Sequence, residues 1–205
     1  MNEEPTEKES AAHSTPPRHL KHTGRRFWLE PTEVDRLRKA AAKLGRYGQR
    51  DTTMILIGYR HGLRVSELVA VRWENINLEE RTIWVNRLKG SKSGLHTMER
   101  DEVTALKKLG PERSGPVFVT ERGGKLCPST FFKLLTRAAE EAKLGVKVHP
   151  HMLRHACGYA LAAEDIPTRV IQEWLGHMNI QHTVRYTELN PDRFRKAGVW
   201  SRRRA

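Results

Sequence analysis

The chain has 205 residues, 38% of them hydrophobic, with a formal net charge of +13 at pH 7 and a pI near 10.1. This length suits one domain with a sizeable core, and the charge favours a polyanionic partner, most simply nucleic acid, although a generally basic or ribosome-associated protein would share it. No apolar stretch approaches the roughly 20 residues of a membrane span, and no signal-peptide core is present, so we expect neither a membrane protein nor a secreted one.

The basic charge is carried by the body of the chain. Residues 1–25 are rich in Glu, Ser, Thr and Pro, which predicts a disordered tail. Residues 1–26 hold five Lys or Arg and four Glu, and therefore contribute only +1, so +12 belongs to the rest of the chain, including its short C-terminus. Cys127 and Cys157 are far apart in the sequence, as in a reduced, cytoplasmic protein.

Helical spacing of apolar residues dominates the first part of the body. Pro31 suits the first turn of a helix that Gly45 would end. The apolar residues of this helix are Val34, Leu37, Ala41 and Leu44. A second helix is predicted over about 50–60, ended by Gly62, and a short third helix begins near Val65.

The middle of the chain predicts short strands followed by a long helix. Residues 75–98 indicate small strands around a turn at GSKSG, and the sequence IWV at 83–85 is the clearest of them. The sequence PVFV at 116–119 predicts another strand or an extended segment. Pro128 opens a helix that Gly145 would end.

Three more helices are predicted toward the C-terminus. Pro150 opens the first, whose inward-facing residues are Leu153, Ala156, Cys157, Ala160 and Leu161. A second covers 170–175, and a third runs from an Asn179 cap across Tyr186. We therefore expect a mainly α fold with a small antiparallel β-sheet.

Six side chains suited to chemistry on a phosphodiester recur along the sequence. In chain order they are Arg64, Lys89, His151, Arg154, His177 and Tyr186. Two guanidiniums can clamp one phosphate, and a lysine and two imidazoles can move protons or donate hydrogen bonds. A tyrosine hydroxyl can attack phosphorus and hold the product covalently. The set indicates DNA strand transfer with no metal and no other cofactor.

The motif H-x-x-R, the tripeptide L-G-H and a tyrosine nine residues after His177 together resemble the signature of the tyrosine recombinases, also called the phage integrase family. The resemblance covers about 25–200, and the string R-L-K brings it closer to the fimbrial phase-variation recombinases, which are short DNA invertases. It implies the tyrosine recombinase catalytic-domain fold over 26–200, with a basic tail at 201–205. The fimbrial recombinases lack the N-terminal core-binding domain of most integrases, and we expect none here.

The resemblance also implies an activity and a role for most of the six side chains. The activity is site-specific DNA recombination through a 3′-phosphotyrosyl intermediate, giving inversion, integration or excision. Arg64, Arg154 and His177 would bind the phosphate oxygens, and Tyr186 would be the nucleophile. His151 would assist proton traffic at the tyrosine. Because His151 and Arg154 are one helical turn apart, we expect them to point to one side.

The leaving 5′ oxygen would be protonated by a lysine of the predicted hairpin. The R-L-K string favours Lys89, but the sequence after it departs from the fimbrial pattern, and Lys92 remains the alternative. Glu67 lies three residues after Arg64 and resembles the acid that holds that arginine in place, although a plain surface glutamate would have the same spacing.

Several neighbouring residues have simpler interpretations. His151 and His155 could be a metal pair, but Met152 stands where the zincin motif needs glutamate and no third ligand is evident. We therefore expect no metal site, and expect His155 to be a packing or surface histidine. Tyr159 is expected to be structural, and Trp174 to be a core residue that could also support the site.

Two rival functions share this fold. A DNA-binding regulator would have a broken catalytic set, whereas this set is complete; a nicking or topoisomerase-like enzyme would reseal the same strand. By resemblance, four protomers assemble on two double-stranded DNA sites, with DNA-bending accessory proteins as further partners, in the cytoplasm and at the nucleoid. A short helix predicted over 192–200 could pack on its own domain or dock on a neighbouring protomer.

Overall fold

The computed structural model of the protein describes residues 26–88, 90–110 and 114–188. The predicted tails, the predicted terminal helix and one hairpin lysine lie outside the described residues: 1–25, 201–205, 192–200 and Lys89. None of the helices in these ranges combines the length and the apolar character that a membrane span needs.

The described part of the chain is mainly helical, with one small sheet. The helices are α1 (Pro31–Lys43), α2 (Gly48–Arg60), α3 (Val65–Leu68), α4 (Arg100–Lys107), α5 (Pro128–Glu141), α6 (Pro150–Ala163), α7 (Thr168–Leu175) and α8 (Gln181–Thr187). The strands are β1 (Ile76–Asn77), β2 (Thr82–Val85) and β3 (Gly94–Thr97), in the antiparallel order β1-β2-β3. The predicted fold class is confirmed.

The first two helices build the centre of the core. Pro31 occupies the first turn of α1, where the Glu33 carboxylate accepts a hydrogen bond from the Glu30 backbone N–H at 2.8 Å. Helix α2 begins two residues before the predicted start, and its apolar run from Met54 to Ile57 is buried on all sides. Because α2 packs against α1, α4 and α6, it connects the N-terminal helices to those that carry the motifs.

The sheet forms as the alternation of its residues predicts. In β2, Ile83 and Val85 are buried, whereas Trp84 between them is 44% exposed and pairs with Leu95 of β3. The segment PVFV does not join this sheet, because its ends make only isolated bridges, Arg72 with Pro116 and Val119 with Lys125. Of the two predicted alternatives, a strand or an extended segment, PVFV is therefore the extended segment.

Two elements were not predicted, and several helix boundaries differ from the predicted ones by up to four residues. A 3₁₀ turn occupies Trp73–Asn75, and α4 follows the sheet. Helix α4 has eight residues and only Val103 and Leu106 as buried apolar side chains, too few to give a helical period that the sequence reveals. Helix α5 ends at Glu141, four residues before the predicted stop at Gly145.

The last three helices pack on one another. Pro150 begins α6. Helix α7 ends at Leu175, and the next residue, Gly176, has a left-handed φ of +69° that turns the chain sharply toward α8. Contacts of α6 with α7 and of both with α8 bring the predicted motifs into one region.

Candidate active site

The corner between α2 and α3 positions Arg64. Gly62, with φ +55°, ends α2, and a Cβ there would lie 2.4 Å from a side-chain carbon of Leu175. Arg64 follows as the residue that caps α3. The buried carboxylate of Glu67 accepts hydrogen bonds from the Arg64 backbone N–H at 2.9 Å and from its guanidinium at 2.8 Å. The structure thus brings together the two residues that the R-V-S-E-L string predicts as partners.

The Glu67 carboxylate is held ionised by its neighbours. Burial opposes its charge, but the hydrogen bond from the Arg64 backbone and the charge of Arg87 keep the pKa of Glu67 below its ordinary value. Glu67 is therefore a buried anion that orients two guanidiniums, and not a plain surface residue.

Arg87 is the second of these guanidiniums, and the sequence analysis did not identify it. Its buried side chain donates to Glu67 Oε2 at 2.9 Å and to the main-chain carbonyls of His61, Gly62 and Trp174 at 2.9, 3.1 and 2.5 Å. It therefore joins the α2–α3 corner to the end of α7. The only sequence signal was its place in the R-L-K string.

Replacing Arg87 by methionine should destabilise the fold by about 3–5 kcal/mol, because it leaves the buried Glu67 charge without a partner. Urea denaturation of the purified variant measures this change. Arg72→Met is the matched control, since Arg72 forms an exposed ion pair with Glu74 that should contribute less than about 1 kcal/mol. Equal losses in the two variants would contradict the structural role of Arg87.

Arg154 lies on the buried face of α6 and faces the same corner. Its two terminal nitrogens donate to the carbonyls of Gly62 at 2.5 Å and Leu175 at 2.7 Å. Burial and the nearby charges of Arg87 and Arg64 lower the pKa of Arg154 to about 10. The Glu67 carboxylate binds the guanidiniums of Arg64 and Arg87, and the Arg154 guanidinium lies near enough for these charges to act on it. The positive charge that remains suits an oxyanion.

The predicted lysine hairpin rests against this cluster. Ser91 Oγ accepts a hydrogen bond from the Arg64 guanidinium at 3.0 Å, and the backbone N–H of Lys92 donates to the Gly176 carbonyl at 3.2 Å. The Lys92 side chain is exposed. With Lys89 outside the described residues, the choice between the two lysines stays a prediction.

His177 is turned into the site by the left-handed residue Gly176. It is buried, and its Nδ1 lies 2.8 Å from Oγ1 of the fully buried Thr183. Burial, followed by the charge of Arg154, lowers the pKa of His177 to about 3, so the ring is neutral. When the Thr183 hydroxyl donates to Nδ1, the proton of the ring is on Nε2, where it can be donated to a phosphate oxygen.

Tyr186 is a residue of α8 and lies beside His177. It is buried, with 2% of its surface exposed. Its ring is nearly parallel to that of His177, at 6.4 Å between centroids, and meets Tyr159 edge-on at 5.0 Å. Burial raises the pKa of Tyr186 to about 12, so the phenol keeps its proton in this environment. Its hydroxyl lies 3.0 Å from Nδ1 of His155.

Gly158 on α6 provides the space for the Tyr186 ring, since a Cβ there would lie 2.7–2.9 Å from the ring carbons. Gly158→Ala should therefore cost about 1–3 kcal/mol by overpacking, although the same change in a free helix would stabilise by roughly 0.5–1 kcal/mol. Thermal unfolding of the variant measures this. In a Tyr186→Ala background the substitution should become neutral or stabilising; an unchanged penalty there would locate the strain elsewhere.

The two histidines of α6 lie near the site. His151 is exposed and Arg154 is buried; burial, followed by the charge of Arg154, lowers the pKa of His151. His155 is half-buried, lies edge-on to His151 with ring centroids 5.4 Å apart, and contacts the Tyr186 hydroxyl. His155 thus makes the packing contacts that were expected of it, and its hydrogen bond with the Tyr186 hydroxyl was not predicted. Its position four residues after His151 on one helix was the available signal.

Tyr159 supports the site through its edge-on contact with Tyr186, and Trp174 supports it through two contacts of its own. The Trp174 indole donates to the Arg60 carbonyl at 2.8 Å and stacks on His96 at 3.9 Å between centroids. In addition, the main-chain carbonyl of Trp174 accepts a hydrogen bond from Arg87.

Across the ranges that the structure describes, no three His, Cys, Asp or Glu side chains are grouped as a metal would need.

Comparison with known proteins assigns the class. The model of the phage integrase family matches residues 27–193, and the chain belongs to this family, the tyrosine recombinases. It is 40% identical over 186 residues to the type 1 fimbriae regulatory protein FimE of Escherichia coli K12, covering 87% of this chain and 92% of that protein. FimB of the same strain is 39% identical over 187 residues, covering 88% and 92%. The predicted family and the resemblance to the fimbrial recombinases are confirmed.

Solved structures give the same fold. The crystal structure of the XerA recombinase superposes with a TM-score of 0.72 at 27% identity, covering 88% of this chain and 67% of that one. XerH, in a post-cleavage complex with its palindromic difH substrate, superposes with a TM-score of 0.69 at 23% identity, covering 85% and 53%. The tyrosine recombinase catalytic-domain fold is therefore confirmed.

Proposed function

We propose that this chain is an active site-specific recombinase that cleaves and rejoins double-stranded DNA through a 3′-phosphotyrosyl intermediate. The observation that carries the proposal is the cluster of guanidiniums at the α2–α3 corner. Glu67 binds Arg64 and Arg87 there, and Arg154 lies close enough for its charge to act on His177 and Tyr186. A surplus of buried positive charge beside a nucleophile is the environment that a transferring phosphoryl group requires.

The first half of the reaction forms the covalent intermediate. Arg64 and Arg154 bind the non-bridging oxygens of the scissile phosphate, and His177 donates a hydrogen bond from Nε2. Tyr186 Oη attacks phosphorus while His151 assists the removal of the phenol proton, and the bond from phosphorus to the 5′ oxygen breaks. The leaving oxygen takes a proton from Lys89, or from Lys92 if the hairpin presents that lysine instead.

The second half reverses the first on another strand. The phosphotyrosyl bond retains the energy of the phosphodiester, so a 5′-hydroxyl from a partner strand can attack it without ATP. Two such rounds exchange two pairs of strands, with four protomers on two sites. DNA as the partner is supported by the net charge of +13 and by the DNA substrate in the XerH complex.

The biological setting follows from the same reasoning. We propose one catalytic domain over 26–200, acting in the cytoplasm and at the nucleoid, with inversion as the outcome suggested by the fimbrial relatives. DNA-bending accessory proteins would assist synapsis.

Trapping the intermediate tests the proposal. The protein is incubated with DNA carrying inverted repeats from the neighbourhood of its gene, nicked so that the cleaved fragment diffuses away. A protein–DNA adduct that resists SDS is expected. A plasmid with two sites then distinguishes recombination from topoisomerase-like resealing, because only recombination inverts or removes the DNA segment between the sites. The absence of any adduct on a site that the protein binds would overturn the proposal.

Cleavage should proceed at an unchanged rate in EDTA. The arginine cluster already neutralises the phosphate, so a divalent ion adds no charge that the reaction needs. Adduct formation on a single site is compared with and without EDTA, at matched ionic strength because DNA binding depends on salt. Strict dependence on a divalent ion at this cleavage step would contradict the mechanism; dependence confined to synapsis would not.

A further inference from the structure

We propose that His96 is a positioning residue that holds the lysine hairpin, which is β2, β3 and the turn between them, in place for protonation of the leaving 5′ oxygen. The inference rests on the proposed function and deepens its first step. It starts from two buried rings, because Nδ1 of His96 lies 3.1 Å from Nδ1 of His61. His96 belongs to β3, four residues after Lys92, and His61 lies three residues before Arg64. The contact thus joins the lysine hairpin directly to the corner that carries Arg64.

The lysine hairpin needs such an attachment because its sheet is small. Strand β3 has four residues and, among the described strands, pairs only with β2. A short hairpin of this kind is marginally stable by itself. The side chain of His96 is buried, whereas those of Leu95 and Thr97 on either side of it are exposed. His96 is therefore the side chain through which this strand meets the rest of the domain.

A buried carboxylate fixes the orientation of His61. Its Nε2 lies 2.9 Å from Oε1 of Glu102 on α4, and both residues are buried. Burial opposes the charge of Glu102, but the hydrogen bond with His61 and further contacts, among them the charge of Arg60, keep the pKa of Glu102 below its ordinary value. A carboxylate can only accept hydrogen bonds, so Nε2 of His61 carries a hydrogen and Nδ1 of that ring is left to face His96.

One hydrogen lies between the two Nδ1 atoms. Burial, followed by the neighbouring His61 and Arg87, lowers the pKa of His96 to about 3, so its ring is neutral. A neutral imidazole has one N–H and one bare nitrogen, and can complete this hydrogen bond in either direction. An apolar residue at position 96 would leave the buried Nδ1 of His61 without this partner, which is unfavourable. The pair is thus a specific connection that a hydrophobic contact does not replace.

The ring of His96 also contacts the end of α7. It stacks on the indole of Trp174 with ring centroids 3.9 Å apart. The Trp174 carbonyl accepts a hydrogen bond from Arg87, and Trp174 lies three residues before His177. One side chain of β3 therefore touches both regions that carry phosphate-binding groups, the α2–α3 corner and the end of α7. These contacts fix where the lysine hairpin lies relative to the phosphate.

The hairpin lysine acts on the leaving group. As the bond between phosphorus and Tyr186 Oη forms, the bond to the 5′ oxygen breaks, and that oxygen takes a proton from the lysine ammonium, which becomes a neutral amine. The acid must lie within hydrogen-bonding reach of this oxygen, and a displacement of about 1 Å can cost about 10²-fold in rate. Loss of the contact between His61 and His96 should therefore slow departure of the leaving group, while the nucleophile and the phosphate-binding residues stay in place.

Three substitutions in the full-length protein separate this contact from the filling of space by the ring. His96→Asn keeps a polar atom close to the Nδ1 position. His96→Gln moves the polar atom toward the Nε2 position, away from His61, and His96→Leu removes it. Val34→Ala, a buried position on α1, which carries no residue of the site, is the control for a general loss of stability.

The rate of adduct formation is measured on ordinary DNA and on DNA whose leaving 5′ oxygen is replaced by sulfur. A thiolate leaves without taking a proton, so a misplaced acid slows cleavage of the ordinary substrate only. Lys89→Ala and Lys92→Ala are measured on both substrates to identify the acid, because the variant that lacks it regains most of its rate on the sulfur substrate. Melting temperature and DNA affinity of each variant are measured alongside.

We expect His96→Leu and His96→Gln to form the adduct about 10-fold to 10²-fold more slowly on ordinary DNA, and within about threefold of the wild-type rate on the sulfur substrate. His96→Asn should regain most of the rate on ordinary DNA. Val34→Ala should melt at a lower temperature without changing the ratio of the two rates.

Equal slowing of His96→Leu on both substrates would overturn the assignment and make His96 a residue of the fold alone. Wild-type cleavage of ordinary DNA by His96→Leu would overturn it as well. If neither lysine variant changes the ratio of the two rates, no acid of the hairpin is there to be positioned, and the inference fails while the proposed function stands. Should His96→Leu not fold, the comparison of His96→Asn with His96→Gln decides. Failure of the wild-type protein to form any adduct would instead reject the proposed function.

Discussion

Tyr186→Phe should abolish the covalent DNA adduct while leaving DNA affinity within about twofold of the wild type. The substitution removes only the hydroxyl, and the ring that packs against Gly158 and Tyr159 remains, so the fold around α8 is preserved. Without Oη no bond to phosphorus can form. SDS gels of trapped reactions, together with mobility-shift titrations, measure the two properties separately.

Tyr159→Phe is the matched control for this variant. Tyr159 lies edge-on to Tyr186 at 5.0 Å, so both substitutions remove one hydroxyl from the same aromatic pair. The control should keep the adduct. An adduct of normal yield from Tyr186→Phe would move the nucleophile to another residue, whereas loss of the adduct in both variants would point to damage to the packing.

Arg64→Ala should slow cleavage by about 10²–10³-fold, the cost of removing one donor to a transition-state oxyanion. DNA binding should weaken far less, because many other Lys and Arg side chains share the phosphate backbone. Arg64 is the cleaner of the two arginine tests. Its side chain is 28% exposed, and Glu67 keeps its second partner, Arg87, when Arg64 is removed. Single-turnover cleavage of saturated DNA measures the effect.

Arg154→Ala should lose at least as much activity and should also unfold more easily. It leaves the buried carbonyl of Leu175 without this donor, at about 1–3 kcal/mol for an unsatisfied group, whereas the Gly62 carbonyl keeps Arg87 as a donor. Arg169→Ala, at an exposed position on α7, is the control for a general loss of charge and should leave cleavage of bound DNA unchanged. Equal losses of binding and cleavage in Arg64→Ala would make that residue an ordinary phosphate anchor.

Local patterns predicted much of this molecule. The prolines that open α1, α5 and α6, the glycines that follow α2 and α7, and the alternation in β2 are signals between near neighbours in sequence. The same holds for Arg64 and Glu67, which meet because three residues make nearly one helical turn.

Contacts between distant segments could not be predicted in this way. The structural role of Arg87 depends on its hydrogen bonds to the carbonyls of Gly62 and Trp174, which are 25 and 87 residues away in the chain. His155 meets Tyr186 across 31 residues, through the packing of α6 against α8. Neither relation has a period or a local motif, because it depends on how helices cross. For the same reason, the exposure of His151 was not evident from its motif.

The carbonyl of Gly62 accepts hydrogen bonds from both Arg87 and Arg154, and each of these arginines also binds a carbonyl at the end of α7, that of Trp174 or Leu175. The two guanidiniums therefore fasten an early part of the chain to a late one. During synthesis, the α2–α3 corner leaves the ribosome long before α7 does. The two guanidiniums can therefore take up this arrangement only after the chain is nearly complete. A nascent or truncated polypeptide that lacks α7 has neither of the α7 carbonyls that bind them, so its α2–α3 corner and α6 are not joined to that end of the fold.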